Sequence, residues 1–177
     1  MPDGPGSFDE WFRRDHPRMV GLARKVIDPP AASSASLAAA ERVSIEAFSR
    51  LRARRIGDMD ARTTAAVCAT LDACLDRLLG HPGEVRVHTD ALGDDVDFDG
   101  HLPLAELHRA LEGMRRQDRR VGLLVLAASY RPEQAAALLV RPLDDVLERV
   151  ARIGTRLADA RRVGQLELAD TGTEEVA

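Results

Sequence analysis

The sequence predicts an all-α protein. Aromatic residues make up only 3% of the 177 residues, while alanine, leucine and arginine dominate, and this composition favours helices over a sandwich or barrel. Apolar residues recur at helical spacing in several segments, and a stretch rich in glycine, proline and aspartate separates them into two blocks. We therefore expect two small helical domains joined by a polar linker.

Three helices are predicted for the first domain, residues 1–79, because apolar residues recur there three and four positions apart. These helices cover residues 8–27, 37–55 and 61–79. Pro17 falls inside the first of them and is tolerated where a new helix begins. Residues 80–101 follow as the predicted linker, without sustained periodicity.

The second domain is predicted to span residues 102–162, with a flexible tail at residues 163–177. An amphipathic helix opens it, and the apolar segment at residues 121–128 reads as a buried helix. Pro132 then starts a short helix, PEQAAALL, and the turn VRP leads into a longer helix, LDDVLERVARIGTRLADARR. Two helices joined by a short turn, the second longer and rich in arginine, predict a helix-turn-helix.

Composition and motifs exclude several function classes. The net charge of −4 provides no global attraction to nucleic acid, so any such contact needs a local basic patch. No signal-peptide pattern and no apolar run of about 20 residues is present, so we expect a cytoplasmic protein without a membrane partner. Cys68 and Cys74 lie on different faces of one predicted helix, and the histidines lack zinc-ligand spacing. We expect no enzyme.

Three N-terminal segments share a pattern with one family. FDEWFRRDHPRMVGLARKVI, AERVSIEAFSRLRARR and VCATLDACLDRLLG, in that order, resemble the polymerase-binding second region of bacterial sigma factors of the extracytoplasmic-function type. The segment from LHRALEGMRR to GTRLADA resembles their fourth region, which recognises the upstream promoter element. The resemblance covers most of residues 8–160, in the family's order.

The resemblance implies core RNA polymerase and promoter DNA as partners, with an anti-sigma factor as a further one. It places polymerase contacts at Glu46, Ser49 and Arg50. Val140 stands where the family's turn usually has glycine. Arginines of the helix-turn-helix are the candidate DNA contacts: Arg141, Arg149, Arg152 and Arg156.

Two interpretations of these arginines remain open. The last three form a stripe at three- and four-residue spacing, with Arg149 best placed to reach a base edge. The alternative is a solvated helix face that is salt-bridged by Asp145 and Glu148. Asp144 and Asp145, together with the lack of aromatic residues for stacking on unpaired bases, favour a sigma-like protein-interaction module without promoter activity.

A twelve-residue stretch at residues 95–106, DVDFDGHLPLAE, matches the calcium loop of an EF-hand. Its candidate ligands are Asp95, Asp97, Asp99, the His101 carbonyl and Glu106. Leu102 occupies the apolar position that normally pairs with a partner loop, but no second loop of this type occurs in the sequence. The stretch is therefore either a calcium site, which would make the chain a calcium-responsive regulator, or an acidic linker that happens to match.

Overall fold

Seven α-helices and one short β ladder form the part of the chain that the computed structural model describes, namely residues 7–27, 34–54, 56–80, 84–86 and 101–171. The helices are α1 (Phe8–Ile27), α2 (Ser34–Leu51), α3 (Met59–Leu79), α4 (Leu104–Leu111), α5 (Arg116–Gly122), α6 (Pro132–Leu139) and α7 (Leu143–Thr171). Residues Leu123–Ala127 continue α5 as a turn of π-helix. The described residues are thus predominantly helical, as the composition predicts.

Helices α1, α2 and α3 pack on one another as a three-helix unit. Its apolar centre is an aromatic group in which the Trp11 and Phe48 rings meet edge to face, with centroids 5.2 Å apart. Phe8 and Phe12 pack against the same Phe48 ring. The few aromatic residues of the chain are therefore concentrated where α1 crosses α2.

A buried carboxylate joins α1 to α3. Asp15 is fully buried and accepts hydrogen bonds from Trp11 Nε1 at 3.1 Å and from Thr63 Oγ1 at 2.8 Å. The Arg14 guanidinium donates two further bonds, at 2.9 and 2.8 Å. Burial alone raises the pKa of Asp15, but the hydrogen bonds from Arg14 and Thr63 outweigh it and the pKa lies below its usual value.

Two helix boundaries of this unit differ from the prediction. Helix α1 continues through Pro17, so no new helix begins there. Helix α2 ends at Leu51 rather than at residue 55, and a turn follows. Helix α3 begins just after Asp58, whose side chain accepts a hydrogen bond from the Ala61 N–H at 2.8 Å and caps the helix.

Helix α3 is buried on nearly all sides, which makes it the central helix of the chain. Its buried residues are Ala66, Val67, Ala69, Thr70, Leu71, Ala73, Cys74, Leu75 and Leu78. One side of α3 packs on α1 and α2, while contacts on other sides reach α4, α5 and α6. A helix with apolar residues all round is expected inside a fold rather than at its surface.

The second half of the chain, α4 to α7, packs mainly around α7. Val146, Val150, Ile153 and Leu157 face inward from α7, as the predicted apolar stripe requires. The predicted buried segment is confirmed, because every residue from Val121 to Ala128 is buried. Helix α6 has the predicted start at Pro132 and closes against α7.

The two halves pack together. Arg120 of α5 makes a two-pronged ion pair with Asp72 of α3, at 2.9 and 2.7 Å. The Lys25 ammonium lies 4.5 Å from the centroid of the Tyr130 ring, which joins α1 to the segment before α6. Buried residues from both halves form one continuous apolar cluster. The division into two sigma-like domains remains a prediction. The predicted linker allowed the two halves either to pack together or to move independently.

Two features depart from the expected arrangement. Strands β1 (Glu84–Arg86) and β2 (His101–Pro103) pair antiparallel, so a short ladder that the all-α prediction lacks joins the predicted linker to the start of the predicted second domain. Alternation of Val85 with polar neighbours is compatible with such a strand. A flexible tail was expected from residue 163, but helix α7 continues to Thr171. No proline and no pair of glycines interrupts the helix before Gly172.

No helix among the described residues is both long and apolar enough to cross a bilayer.

Candidate functional site

The outer face of α2 carries the residues predicted to contact polymerase. Along α2 two buried positions alternate with two exposed ones, so one whole side of the helix faces solvent. This α2 outer face consists of Leu37, Ala38, Glu41, Arg42, Ile45, Glu46, Ser49 and Arg50. The Ile45 side chain is 50% exposed, and Leu37 is exposed as well. Leu37 and Ile45 thus give this otherwise polar face two apolar side chains that a partner protein can cover.

Glu46, Ser49 and Arg50 lie together at the C-terminal end of this face. Arg50 Nη2 contacts Glu46 Oε1 at 2.5 Å and Asp76 Oδ2 of α3 at 2.9 Å. The hydrogen bond to Asp76 and the one to Glu46 raise the pKa of Arg50 despite partial burial. The Ser49 hydroxyl donates to the Ile45 carbonyl at 2.8 Å. Glu46 remains exposed.

The predicted helix-turn-helix corresponds to α6, the turn at residues 140–142 and α7. Val140 ends α6 in the left-handed region, at φ 52° and ψ 57°, the conformation that the glycine of the family would adopt. The Arg141 N–H donates to the Ala136 carbonyl at 2.9 Å and closes the helix end. Val140 therefore adopts a left-handed conformation in which a β-branched residue is strained.

Arg149, the predicted base contact, points into the protein. Its guanidinium donates to Asp118 at the start of α5 and, at 3.0 and 2.8 Å, to Asp145 one turn earlier. The side chain of Arg149 is 14% exposed and that of Asp118 only 4%. The hydrogen bond from Arg149 holds the pKa of Asp145 below its usual value. In this arrangement Arg149 fixes α7 against α5.

The other three arginines are more accessible. Arg152 is half-exposed and pairs with Glu148 at 2.8 Å and more loosely with Asp118 at 3.6 Å. Arg156 Nη1 donates to the Glu112 carbonyl at 2.8 Å. Arg141 is exposed at the turn. Phosphate contacts require only a reachable positive charge, and these three side chains supply it.

An apolar stripe lies on the exposed side of the same helix-turn-helix. Val140 is 71% exposed, and Leu143 and Leu147 are exposed along the first two turns of α7. Asp144 and Glu148 flank them on the solvent side. The surface that would face a DNA groove is therefore apolar and acidic at its centre, with basic residues at its edge.

The calcium prediction falls only partly within the described residues. Asp95, Asp97 and Asp99 lie outside them, whereas His101 begins β2 and Glu106 lies in the first turn of α4. Leu102 does pair with another strand, opposite Val85. Within the part of the chain that the structure describes, no group of three or more histidine, cysteine or acidic side chains is arranged to hold a metal ion.

The cysteines lie where the sequence places them, on different faces of α3. Burial raises the pKa of the Cys74 thiol to about 12, and burial also raises that of the partly buried Cys68. Both are free thiols. A protonated, buried thiol is a poor nucleophile, so Cys74 has a packing role.

Comparisons with known proteins return no match to this chain, whether to family models, to curated proteins or to solved structures. The resemblance to sigma factors therefore remains a prediction from the sequence segments quoted above.

Proposed function

We propose that this chain is a sigma-factor-like regulator of transcription initiation that binds core RNA polymerase through the α2 outer face and reaches promoter DNA through its helix-turn-helix. The observation that supports the proposal most is the α2 outer face itself. The residues that the resemblance assigns to polymerase, Glu46, Ser49 and Arg50, lie on an exposed helix surface next to Ile45.

The contact with polymerase is expected to have an apolar centre and a charged edge. Ile45 provides apolar area that water contacts in the free chain, and covering it contributes about 25 cal/mol for each Å² buried. Glu46 provides a carboxylate for a basic partner, while Arg50 is held in place by Asp76. Charged groups of this kind determine the choice of partner more than the affinity.

DNA contact, in this proposal, is made through phosphates rather than through a base-reading Arg149. Arg141 and Arg152 reach solvent near the turn and along α7, and Arg156 lies one turn further. Arg149 holds the recognition helix against α5 through Asp118. Binding would then depend strongly on salt and only weakly on sequence.

Substitution of Ile45 tests the polymerase contact. Ile45→Glu places a charge at the centre of the α2 outer face and should weaken binding to core polymerase by about tenfold or more. Val163→Glu is the matched control, since Val163 of α7 is an exposed apolar residue outside the α2 outer face. Equal affinities of the two variants for polymerase, measured by anisotropy, would count against the proposal.

A second candidate function is a sigma-like interaction module without promoter activity, and the apolar stripe on the helix-turn-helix favours it. Leu143 and Leu147 are exposed where a DNA-reading helix needs polar groups, and Asp144 would face phosphates. A protein such as an anti-sigma factor is the natural partner of an apolar surface with an acidic border. The test is binding of duplex DNA to the intact chain at several salt concentrations. Salt-dependent binding that is lost in the Arg152→Ala variant would favour promoter contact over the interaction module.

A calcium-responsive regulator is the third candidate, and the position of α4 favours it. An EF-hand loop is followed by a leaving helix that contains its twelfth residue. Helix α4 starts at Leu104 and contains Glu106 in its first turn, as that pattern requires. Calcium should shift the thermal midpoint of the wild-type chain and not that of Glu106→Gln, with Glu112→Gln as the control. No shift at millimolar calcium excludes this candidate.

A further inference from the structure

A cleft of about 590 Å³ opens where α2 and α3 meet α5, next to the C-terminal end of the α2 outer face, with which it shares Arg50. Its charged rim combines side chains from both halves of the chain. The arginines of this rim are Arg50, Arg54, Arg116, Arg119 and Arg120. The volume falls within the range of about 300–1,000 Å³ that is usual for small-molecule sites.

The charge of the cleft is opposite to that of the whole chain. Five arginines line it against two aspartates, Asp72 and Asp76, an excess of three positive charges. The chain as a whole carries a net charge of −4. Glu46 pairs with Arg50 just outside the rim and offsets part of this excess. A local concentration of arginine in an acidic protein creates a site that attracts anions.

Not all of these arginines are neutralised by the protein. Arg120 is committed to Asp72, and Arg50 to Asp76 and Glu46. Arg116, by contrast, is 74% exposed and lies 3.8 Å from Asp72, a loose contact. Arg54 also lines the cleft, is exposed, and makes no ion pair with any described residue. Two guanidinium groups of the cleft lining are thus open to a ligand.

The floor of the cleft differs from its rim. Leu51, Ala65, Ala69 and Leu75 line it with apolar surface, next to the Cys68 thiol. A ligand with a charged end and a less polar body would therefore contact both parts. Guanidinium groups bind phosphate oxygens in pairs and also stack on planar rings, and both modes suit such a ligand.

We propose that this cleft binds a small phosphate-bearing anion, either a nucleoside polyphosphate or an inorganic polyphosphate. The phosphates lie between Arg54 on the α2 side and Arg116 on α5. A bound anion would bridge the two halves of the chain at the point where Arg120 and Asp72 already join them. Binding should therefore raise the thermal midpoint as well as neutralise the rim.

Isothermal titration of the full chain with GTP and, separately, with inorganic tripolyphosphate tests the proposal and distinguishes the two sources. Arg116→Glu should weaken binding of whichever probe binds by about tenfold or more, because it removes a charge-assisted contact and adds repulsion. Arg115→Glu is the matched control, being the neighbouring exposed arginine outside the cleft. Both positions are exposed, so neither variant should unfold the chain.

Saturable binding of either probe that is lost in Arg116→Glu and in Arg54→Glu, and retained in Arg115→Glu, supports the proposal. Tighter binding of GTP identifies the nucleotide as the source, and tighter binding of tripolyphosphate identifies the inorganic anion. Absence of saturable binding with both probes, or equal weakening by Arg115→Glu and Arg116→Glu, overturns it.

Discussion

Asp118 is expected to stabilise the helix-turn-helix more than any surface carboxylate. It is buried at the start of α5, accepts a hydrogen bond from Arg149 and forms a looser ion pair with Arg152 at 3.6 Å. Removal of one partner from a buried ion pair costs about 3–5 kcal/mol, because the other charge is left buried. Arg149 keeps Asp145 as a second partner, so we expect Asp118→Ala to lose about 2–3 kcal/mol of the free energy of unfolding.

For a chain of this length such a loss lowers the thermal midpoint by about 4–12 °C. Urea unfolding followed by circular dichroism measures the free energy, and Asp159→Ala is the control. Asp159 lies 3.4 Å from Arg162 with both side chains exposed, so its loss should cost less than about 0.5 kcal/mol. Arg149→Leu combined with Asp118→Ala should recover part of the stability, since no charge then remains buried. Equal effects of Asp118→Ala and Asp159→Ala would refute the reasoning.

Three further predictions concern the turn, the buried acid and the thiols. Val140→Gly should raise the free energy of unfolding by up to about 1 kcal/mol, because relief of left-handed strain exceeds the entropy cost of glycine. A lower free energy of unfolding in urea for this variant would contradict the prediction. The pKa of Asp15 lies below its usual value of 3.8, so its stabilisation is complete above that pH and is lost as the pH falls further. The Asp15→Asn variant should therefore have a lower free energy of unfolding than the wild-type chain above that pH. Below about pH 4 its free energy of unfolding should depend less on pH than that of the wild-type chain. Iodoacetamide should label Cys68 before Cys74 in the native chain, and equal rates by mass spectrometry would count against the burial of Cys74.

Local features of the fold could be predicted because their causes are local. Pro132 marks the start of α6, and the apolar stripe beginning at Val146 marks the inner side of α7. Val140 adopts a left-handed conformation without being glycine, and the packing of α6 on α7 offsets the strain of this one residue. The strand at Glu84–Arg86 was missed, because three residues are too short to show a period.

Features that depend on distant residues could not be predicted. One open interpretation had Arg149 facing DNA, and the other had Asp145 and Glu148 pair with the arginine stripe. Neither included Asp118, which lies far from Arg149 in sequence and meets it only because α5 packs on α7. The central position of α3 could not be predicted either. Buried alanines such as Ala66 and Ala69 add little to a periodic apolar pattern. The arginine cleft likewise arises only where α3 meets α5.

The most direct test of the proposed function is the affinity of the intact, fluorescently labelled chain for core RNA polymerase from a bacterium with a GC-rich genome, measured by anisotropy with calcium and again with chelator. We predict submicromolar binding in at least one buffer, and a difference between the buffers would assign a regulatory role to residues 95–106. Absence of binding in both buffers would contradict the proposal and leave a helical protein whose α2 outer face serves another partner.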